Sequence, residues 1–450
     1  MTEESKDRLI DLVNARELKT LKQELSDMNE VDIAELLGDL PPERVLVIFR
    51  LLPKDLSSEV FACLEIEEQQ HIINSISDRE LVRIIEDLAI DDAVDMVEEL
   101  PASVVKRILK NATPETRTLI NQYLQYPDNS AGSIMTAEYV ALRPSMTVEE
   151  SFAYIRANGV DKETIYTCYV INESRKLEGV VTLKDLLMHP YETVVRDIMD
   201  DDVICALTTD DQEAVALDFS KYDLLALPVV DRERRLVGIV TVDDIVDVME
   251  QEATEDFEKM AAMVPSEKSY LKTGVLTLAK NRIVWLLVLM VSSTISGMIL
   301  NHYETTFAAL PLLVSFIPTL MDTGGNSGSQ ASTMVIRGLA VDDLSLNDLG
   351  RVIWKELRVG TLCGALLASI NFVVRSIQFP GNTGVIAVVS ISMFITVVLA
   401  KTLGATLPML AKRLKLDPAL MASPMLTTIV DACSMVIYFS LASHMLRIVG

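Results

Sequence analysis

The sequence is poor in residues suited to soft-metal or redox chemistry. It has four histidines and five cysteines in 450 residues. Cys63, Cys168, Cys205, Cys363 and Cys433 make no C-x-x-C pair and no ligand-like spacing. That argues against a zinc site or a disulfide framework and fits a reducing cytoplasm. No phosphate-binding glycine loop and no nucleophile–base constellation is present, so the reading is not an enzyme. Positive charge is scarce upstream: residues 1–267 carry 26 Lys/Arg against 57 Asp/Glu, a net of −31. A nucleic-acid partner needs concentrated positive charge and is excluded. Divalent cations are the natural partners of so many carboxylates. The opening Met1-Thr2-Glu3-Glu4-Ser5-Lys6-Asp7 is acidic and polar, unlike a signal peptide.

The chain is rich in apolar residues, but unevenly. Half its residues are hydrophobic, yet 23% are charged. These averages describe a soluble part joined to a membrane part, and the length allows about three domains. Residues 268–450 hold 14 Lys/Arg and 8 Asp/Glu, a net of +6. Five segments there, about 283–301, 306–336, 357–378, 384–410 and 420–446, have the roughly 20 apolar residues that a span requires. Lys268, Lys272, Lys280 and Arg282 precede the first, and Arg337, Arg351, Lys355 and Arg358 follow the second. Lys412, Arg413 and Lys415 lie between the fourth and fifth, while the other connections are almost free of positive charge. By the positive-inside rule the chain is a multi-pass protein of the cell membrane, its N-terminus cytoplasmic and its C-terminus outside.

Two spans are chemically unusual. The second holds Pro311, Pro318 and then Asp322-Thr323-Gly324-Gly325-Asn326-Ser327-Gly328-Ser329-Gln330. Such polar, glycine-rich backbone belongs in protein or beside a wet cavity, because lipid cannot satisfy it. The competing reading of these glycines is close helix packing. The fifth span carries Pro424, Thr427, Thr428 and, near its middle, Asp431. A carboxylate at that depth is costly and usually marks an ion path or a proton relay. Asp431, Asn326 and Gly325 are therefore the candidate pore ligands, and Asp322 is either a second pore carboxylate or an edge residue. Lys401 reads as snorkelling, and Trp285 and Trp354 as interface anchors. Hard oxygen ligands suit Mg²⁺, Ca²⁺ or Mn²⁺; one carboxylate per subunit, doubled in a dimer, matches the sparse style of Mg²⁺. An ion-coupled carrier would use the same Asp431. A membrane-anchored adenine-nucleotide sensor would need neither it nor the Gly-Gly-Asn run.

The cytoplasmic part contains a repeat. Ile134-Met135 opens one copy and Ile198-Met199 the other. They close on Gly179-Val180-Val181-Thr182-Leu183-Lys184-Asp185 and Gly238-Ile239-Val240-Thr241-Val242-Asp243-Asp244. Each copy is a compact α/β unit, and the pair resembles tandem CBS domains. In that family the closing Thr and Asp, here Thr182, Asp185, Thr241 and Asp244, often contact a nucleotide ribose, which makes ATP a candidate regulatory ligand. The same residues are also good helix caps. Residues 5–127 read as short amphipathic helices punctuated by Leu40-Pro41, Leu52-Pro53 and Leu100-Pro101, as in a stacked superhelix. Asp243–Ser269 reads as one acidic connecting helix.

The expected organisation is an acidic helical domain (1–130), CBS units (131–195 and 196–250), a connecting helix (251–280) and a five-helix membrane domain (281–450). Over essentially its whole length the chain resembles the MgtE family of Mg²⁺ channels/transporters. The most specific match is Thr323-Gly324-Gly325-Asn326-Ser327-Gly328-Ser329-Gln330, with Asp417-Pro418-Ala419 and Ser423-Pro424…Asp431. The resemblance implies a homodimer with its pore between subunits and hydrated Mg²⁺ held at Asp431. It also implies Mg²⁺ sensing at Asp91, Asp95, Asp211, Glu213, Asp223, Asp244, Glu252, Glu255 and Asp256. This chain has Ser434 where the family commonly has glycine.

Overall fold

A computed structural model describes residues 3–15, 17–160, 162–266, 270, 273–304, 311–421 and 423–446. Lys268, Lys272, the start of the expected second span (306–310) and the end of the expected connecting helix (267–269) lie outside the described residues. The chain forms two compact units, Met1–Val248 and Met249–Gly450.

The first unit opens with α1 (Glu3–Ala15), α2 (Leu18–Ser26), α3 (Glu30–Gly38), α4 (Pro42–Phe49), α5 (Lys54–Ala62), α6 (Ile66–Ser75), α7 (Asp78–Asp87), α8 (Ile90–Glu99), α9 (Ala102–Asn111) and α10 (Pro114–Tyr123). The helices are short because the sequence keeps stopping them. Pro41, Pro53 and Pro101 each stand at an N-cap, where the missing N–H costs nothing. Ser77 and Glu80 form a capping box at α7, and Asn29 accepts from the Val31 N–H at α3. Helices pack on the next but one: α3 on α5, α4 on α6, α5 on α7, α7 on α9 and α8 on α10. This is the stacked all-helical arrangement expected from the Leu-Pro rhythm.

Two three-stranded sheets follow. β1 (Ala141–Leu142), β2 (Thr167–Ile171) and β3 (Leu177–Thr182) form one; β4 (Ala206–Leu207), β5 (Ala226–Val230) and β6 (Leu236–Thr241) form the other. In both, the first pairing is parallel and the second antiparallel, with a bulge at the same place, Val170/Ile171 and Val229/Val230. The units also exchange their openings. Thr136 and Ile239 trade two backbone hydrogen bonds, as do Val180 and Asp200. The Met135 and Met199 side chains lie against Gly238 and Gly179, where any Cβ would fall under 3 Å from them. The Ile-Met that opens each repeat and the glycine that closes it are thus two halves of one contact. Helices α11 (Val148–Asn158), α12 (Leu183–Met188), α13 (Val195–Ile198) and α14 (Gln212–Tyr222) complete the pair, and α15 (Val242–Met260) leaves it.

The connecting helix is shorter than the sequence pattern implies. It stops at Met260, where Ala262 turns to a left-handed φ of 54° and Pro265 follows. Each blocks continuation of the helix.

In the second unit, Val275–His302, Leu346–Gln378, Thr383–Arg413 and Pro418–Met445 are long and apolar enough to cross a bilayer. The remaining expected span is the helix Ile317–Ala340, whose Asp322–Gln330 run makes it less apolar. Below, these are called the first, third, fourth, fifth and second membrane helices. The fourth is central, packing on the second, third and fifth, while the first lies against the fifth with none of its residues buried.

Candidate functional site: an ion path and two acidic clusters

The second membrane helix has two unlike faces. On one, Gly324, Gly325, Ser327, Gly328, Ala331 and Ser332 are buried. A Cβ at Gly324 would lie 2.7 Å from Thr396 and 2.9 Å from Val430; one at Gly325 would lie 3.0 Å from Thr427. Gly328 meets Gly404 of the fourth helix backbone to backbone, so that a Cβ on Gly404 would stand 2.3 Å from the Gly328 carbonyl oxygen. The glycines therefore do pack helices together. On the other face Pro318, Asp322, Asn326, Gln330, Thr333 and Arg337 are exposed, each three or four residues from the last. From Asp322 to Arg337 that is one largely polar stripe along the helix, with exposed Met334 as an apolar member on the same face. Asn326 donates from Nδ2 to Asp322 Oδ1 at 3.1 Å, which couples two of its members.

Asp431 is half-buried on the fifth helix. It follows Val430, which touches Gly324, and lies one turn past Thr427, which touches Gly325. The carboxylate and the Gly-Gly-Asn segment thus share a level. Three residues on, Ser434 is buried and donates to the Val430 carbonyl at 2.6 Å. The serine hydroxyl satisfies itself within its own helix, against the bare face of Gly324, so the departure from glycine is accommodated locally.

Lys401 corrects the snorkelling expectation. It is 6% exposed, and its Nζ donates to Gln330 Oε1 at 3.3 Å. Twelve residues separate it from the helix end at Arg413, about 18 Å at 1.5 Å per residue. Its side chain turns inward because the interface is beyond reach.

The proposed sensor residues fall into three places. Asp91 in the first turn of α8 shares an electrostatic neighbourhood with Asp92, Asp244 and Glu163. Burial, then the charges of Asp92 and Asp244, push the Asp91 carboxyl up to about 8. Asp91 Oδ1 is buried without a hydrogen-bond partner. Burial also raises Asp244 to about 6, against the pull of the Thr241 hydroxyl bonded to it at 2.8 Å, with Asp243 adding to the rise. Glu163 is raised by burial and by Asp243, Asp244, Glu138 and Asp92. Asp95 is exposed one turn along α8. Asp211 and Asp223 are the two caps of α14: Asp211 accepts from the Glu213 N–H at 2.9 Å, and Asp223 adopts a left-handed φ of 52°.

The third place is the end of α15. Lys259 pairs with both Glu255 and, at 2.7 Å, Asp417 of the loop before the fifth helix. Burial alone would lower Lys259, but hydrogen bonds and charge from Asp417 and Glu255 outweigh it and hold the ammonium above the usual lysine range. Asp256 is raised by burial, then by Asp417, with Lys259 opposing and Glu252 and Glu255 adding. Met260 packs with Ile336 and Ala419 beside this cluster. Among the described residues, no three His, Cys, Asp or Glu side chains converge as a ready metal cage.

The closing Thr and Asp of each repeat are engaged with one another. Thr182 and Asp185 form a full capping box, and Thr241 donates to Asp244. Sequence reasoning missed Asp92, Glu163 and Asp243 in the first cluster and Lys259 and Asp417 in the second. Asp92, Asp243 and Lys259 lie one to four residues from Asp91, Asp244 and Glu255 and were readable in the chain; Glu163 and Asp417 are far from their partners in sequence, and nothing local marks Glu163 as a neighbour of Asp244.

Three family models match in order along the chain. An intracellular MgtE N domain covers residues 28–129, CBS domains cover 131–192 and 195–251, and the MgtE divalent cation transporter covers 317–441. The chain is 37% identical over 435 residues to the magnesium transporter MgtE of Thermus thermophilus, covering 96% of each. It is 31% identical to that of Bacillus subtilis, covering 97% of this chain and 96% of the relative. A crystal structure of the cytosolic domain of the Mg²⁺ channel MgtE in complex with ATP matches 54% of this chain and 99% of that one, at TM-score 0.52 and 38% identity. A second, the soluble part of a magnesium transporter, matches 56% of this chain at TM-score 0.52 and 28% identity. The chain belongs to the MgtE family of divalent cation transporters.

Proposed function

We propose that the chain conducts Mg²⁺ into the cell down its electrochemical gradient and is shut by Mg²⁺ binding to its cytoplasmic acidic faces. The observation that carries this is the exposed polar stripe of the second membrane helix, level with Asp431, in a domain whose other helices are apolar. Exposed to lipid, the stripe would leave Asp322, Asn326 and Gln330 in hydrocarbon at several kcal/mol. Against a second copy it lines a wet path, so the working unit is a homodimer embedded in membrane lipid. The cytoplasmic domains precede the first helix, on the side where Lys280 and Arg282 lie, and the C-terminus faces out.

In the path, Asp431 supplies charge, with Asn326 and the backbone at Gly325 beside it, for an ion that keeps much of its water. A bare cage would demand dehydration that Mg²⁺ resists. Outside the membrane, the Asp91/Asp244 cluster holds carboxylates against their own repulsion, and at the end of α15 Lys259 offsets only part of the repulsion among Glu255, Asp256 and Asp417. Two carboxylates about 6 Å apart repel by roughly 3 kcal/mol at an effective dielectric near 20. Mg²⁺ relieves that repulsion, so ions accumulate where the clusters close and the closed state is favoured. Asp95, Asp211, Glu213, Asp223 and Glu252 extend the same acidic faces. ATP is a further regulatory ligand, following the ATP complex of the similar cytosolic domain; Thr182, Asp185, Thr241 and Asp244 would exchange cap bonds for ribose hydroxyls.

The test is Mg²⁺ entry into dye-loaded, Mg²⁺-free proteoliposomes under an inside-negative potential. Wild type is expected to admit Mg²⁺, and Asp431→Ala, equally inserted, to lose at least about tenfold in rate. Equal entry through both would remove Asp431 from the path. Uptake that ceases when H⁺ and Na⁺ gradients are collapsed would favour a coupled carrier.

A further inference from the structure

We propose that Lys401 is a release-side determinant of cation affinity in the ion path: its buried ammonium weakens the grip of the Asp431–Asn326 level on a divalent cation and so sets how readily the cation leaves toward the cytoplasm. The inference rests on the transport reading above and concerns a residue on which that reading does not draw.

The geometry is built around this contact. Gly328 and Gly404 bring the second and fourth helices into backbone contact, and Gly360 of the third helix approaches the Lys401 Cβ from the other side, its own ideal Cβ falling 3.6 Å away. Lys401 is thereby enclosed, 6% exposed, with Nζ 3.3 Å from Gln330 Oε1. An ammonium has only donors, so Gln330 turns its carbonyl to the lysine and its NH₂ elsewhere. Gln330 belongs to the polar stripe, one turn beyond Asn326 toward Arg337. It is six residues past Gly324, roughly 9 Å along the axis. The positive charge therefore sits just behind the path, on its cytoplasmic side relative to Asp431.

Burying a lysine within a membrane domain is costly, and such residues mark function when they face the interior. A helix–helix bolt needs only a hydrogen bond, which a neutral side chain supplies more cheaply. A fixed charge does something a bolt does not. Conduction requires an ion to be held firmly enough to enter and weakly enough to leave. Asp431, doubled in a dimer, holds a divalent cation strongly, and Lys401 opposes that hold on the exit side.

The test uses the full-length chain in dye-loaded proteoliposomes, measuring the dependence of uptake on external Mg²⁺. In Lys401→Met, which keeps the shape and removes the charge, the half-saturating Mg²⁺ concentration is expected to fall by about tenfold or more, with a lower maximal rate. Lys401→Arg should keep the wild-type half-saturation. An unchanged half-saturation in Lys401→Met overturns the inference whatever happens to the maximal rate, because a bolt would alter only folding or rate. Lys401→Arg behaving like Lys401→Met also overturns it, since charge would not be the cause. If Lys401→Met does not insert, Lys401→Gln carries the same expectation. A wild type that moves no Mg²⁺ overturns the transport reading itself, and this inference with it.

Discussion

At the scale of single residues, environment has changed what ordinary side chains do. Asp91 is a first-turn helix acid, a position that usually favours the ionised form. Burial and the neighbouring charges of Asp92 and Asp244 reverse that and lift it to about 8, with Asp244 at about 6. An acid whose folded-state pKa is raised binds more protons folded than unfolded. Its contribution is intact below about pH 4 and is lost as pH rises through 6 and then 8. In chelator, the melting temperature of the detergent-solubilised protein should therefore fall between pH 5 and pH 8. Asp91→Asn should flatten that slope and raise the pH 8 melting point by a few degrees, about 2–4 °C per kcal/mol for a unit this size. Mg²⁺ should stabilise wild type at pH 8 far more than at pH 5. A slope unchanged by Asp91→Asn in differential scanning fluorimetry would show that Asp91 is not the buried acid.

At the scale of elements, the second membrane helix divides its labour by face. Its glycines let the fourth and fifth helices approach, and its polar residues stay on the side left open. Gly404 makes the tightest of these approaches, a Cβ there falling 2.3 Å from the Gly328 carbonyl oxygen. Gly404→Ala must push the two helices apart, at about 1–3 kcal/mol, and shift Gln330 from Lys401. Transport should drop at least about tenfold, while Gly350→Ala, which meets nothing within 4 Å, should leave uptake intact. Equal rates in the two variants would show that the helix pair tolerates separation.

At the scale of the whole molecule, α15 is one continuous helix shared by two compact units, which divide between Val248 and Met249. Its start is held by the Thr241–Asp244 bond, and its end by Lys259 between Glu255 and Asp417. Neutralising Glu255 and Asp256 together, as Gln and Asn, should leave Mg²⁺ current on when cytoplasmic Mg²⁺ is high. Patch recordings showing normal closure would remove these residues from the gate.

Local chemistry was enough to locate most elements. Proline at N-caps, the repeated Gly-x-Val-Thr-x-x-Asp and apolar runs of membrane length act over a few residues, so the helical domain, the paired α/β units and the apolar helices were legible in the chain. Asp431 and Asn326 stood out because a polar group in an apolar run is costly wherever it ends up facing. The left-handed turn at Ala262 carries no glycine to announce it, so the chain pattern did not place the end of the connecting helix at Met260, although Pro265 a few residues on is a stop signal within the expected span. The pattern was silent on partnerships between distant residues: Glu163 beside Asp244, Lys259 with Asp417, Lys401 with Gln330. Charges interact through space with a strength set by burial and separation, and only tertiary structure supplies both.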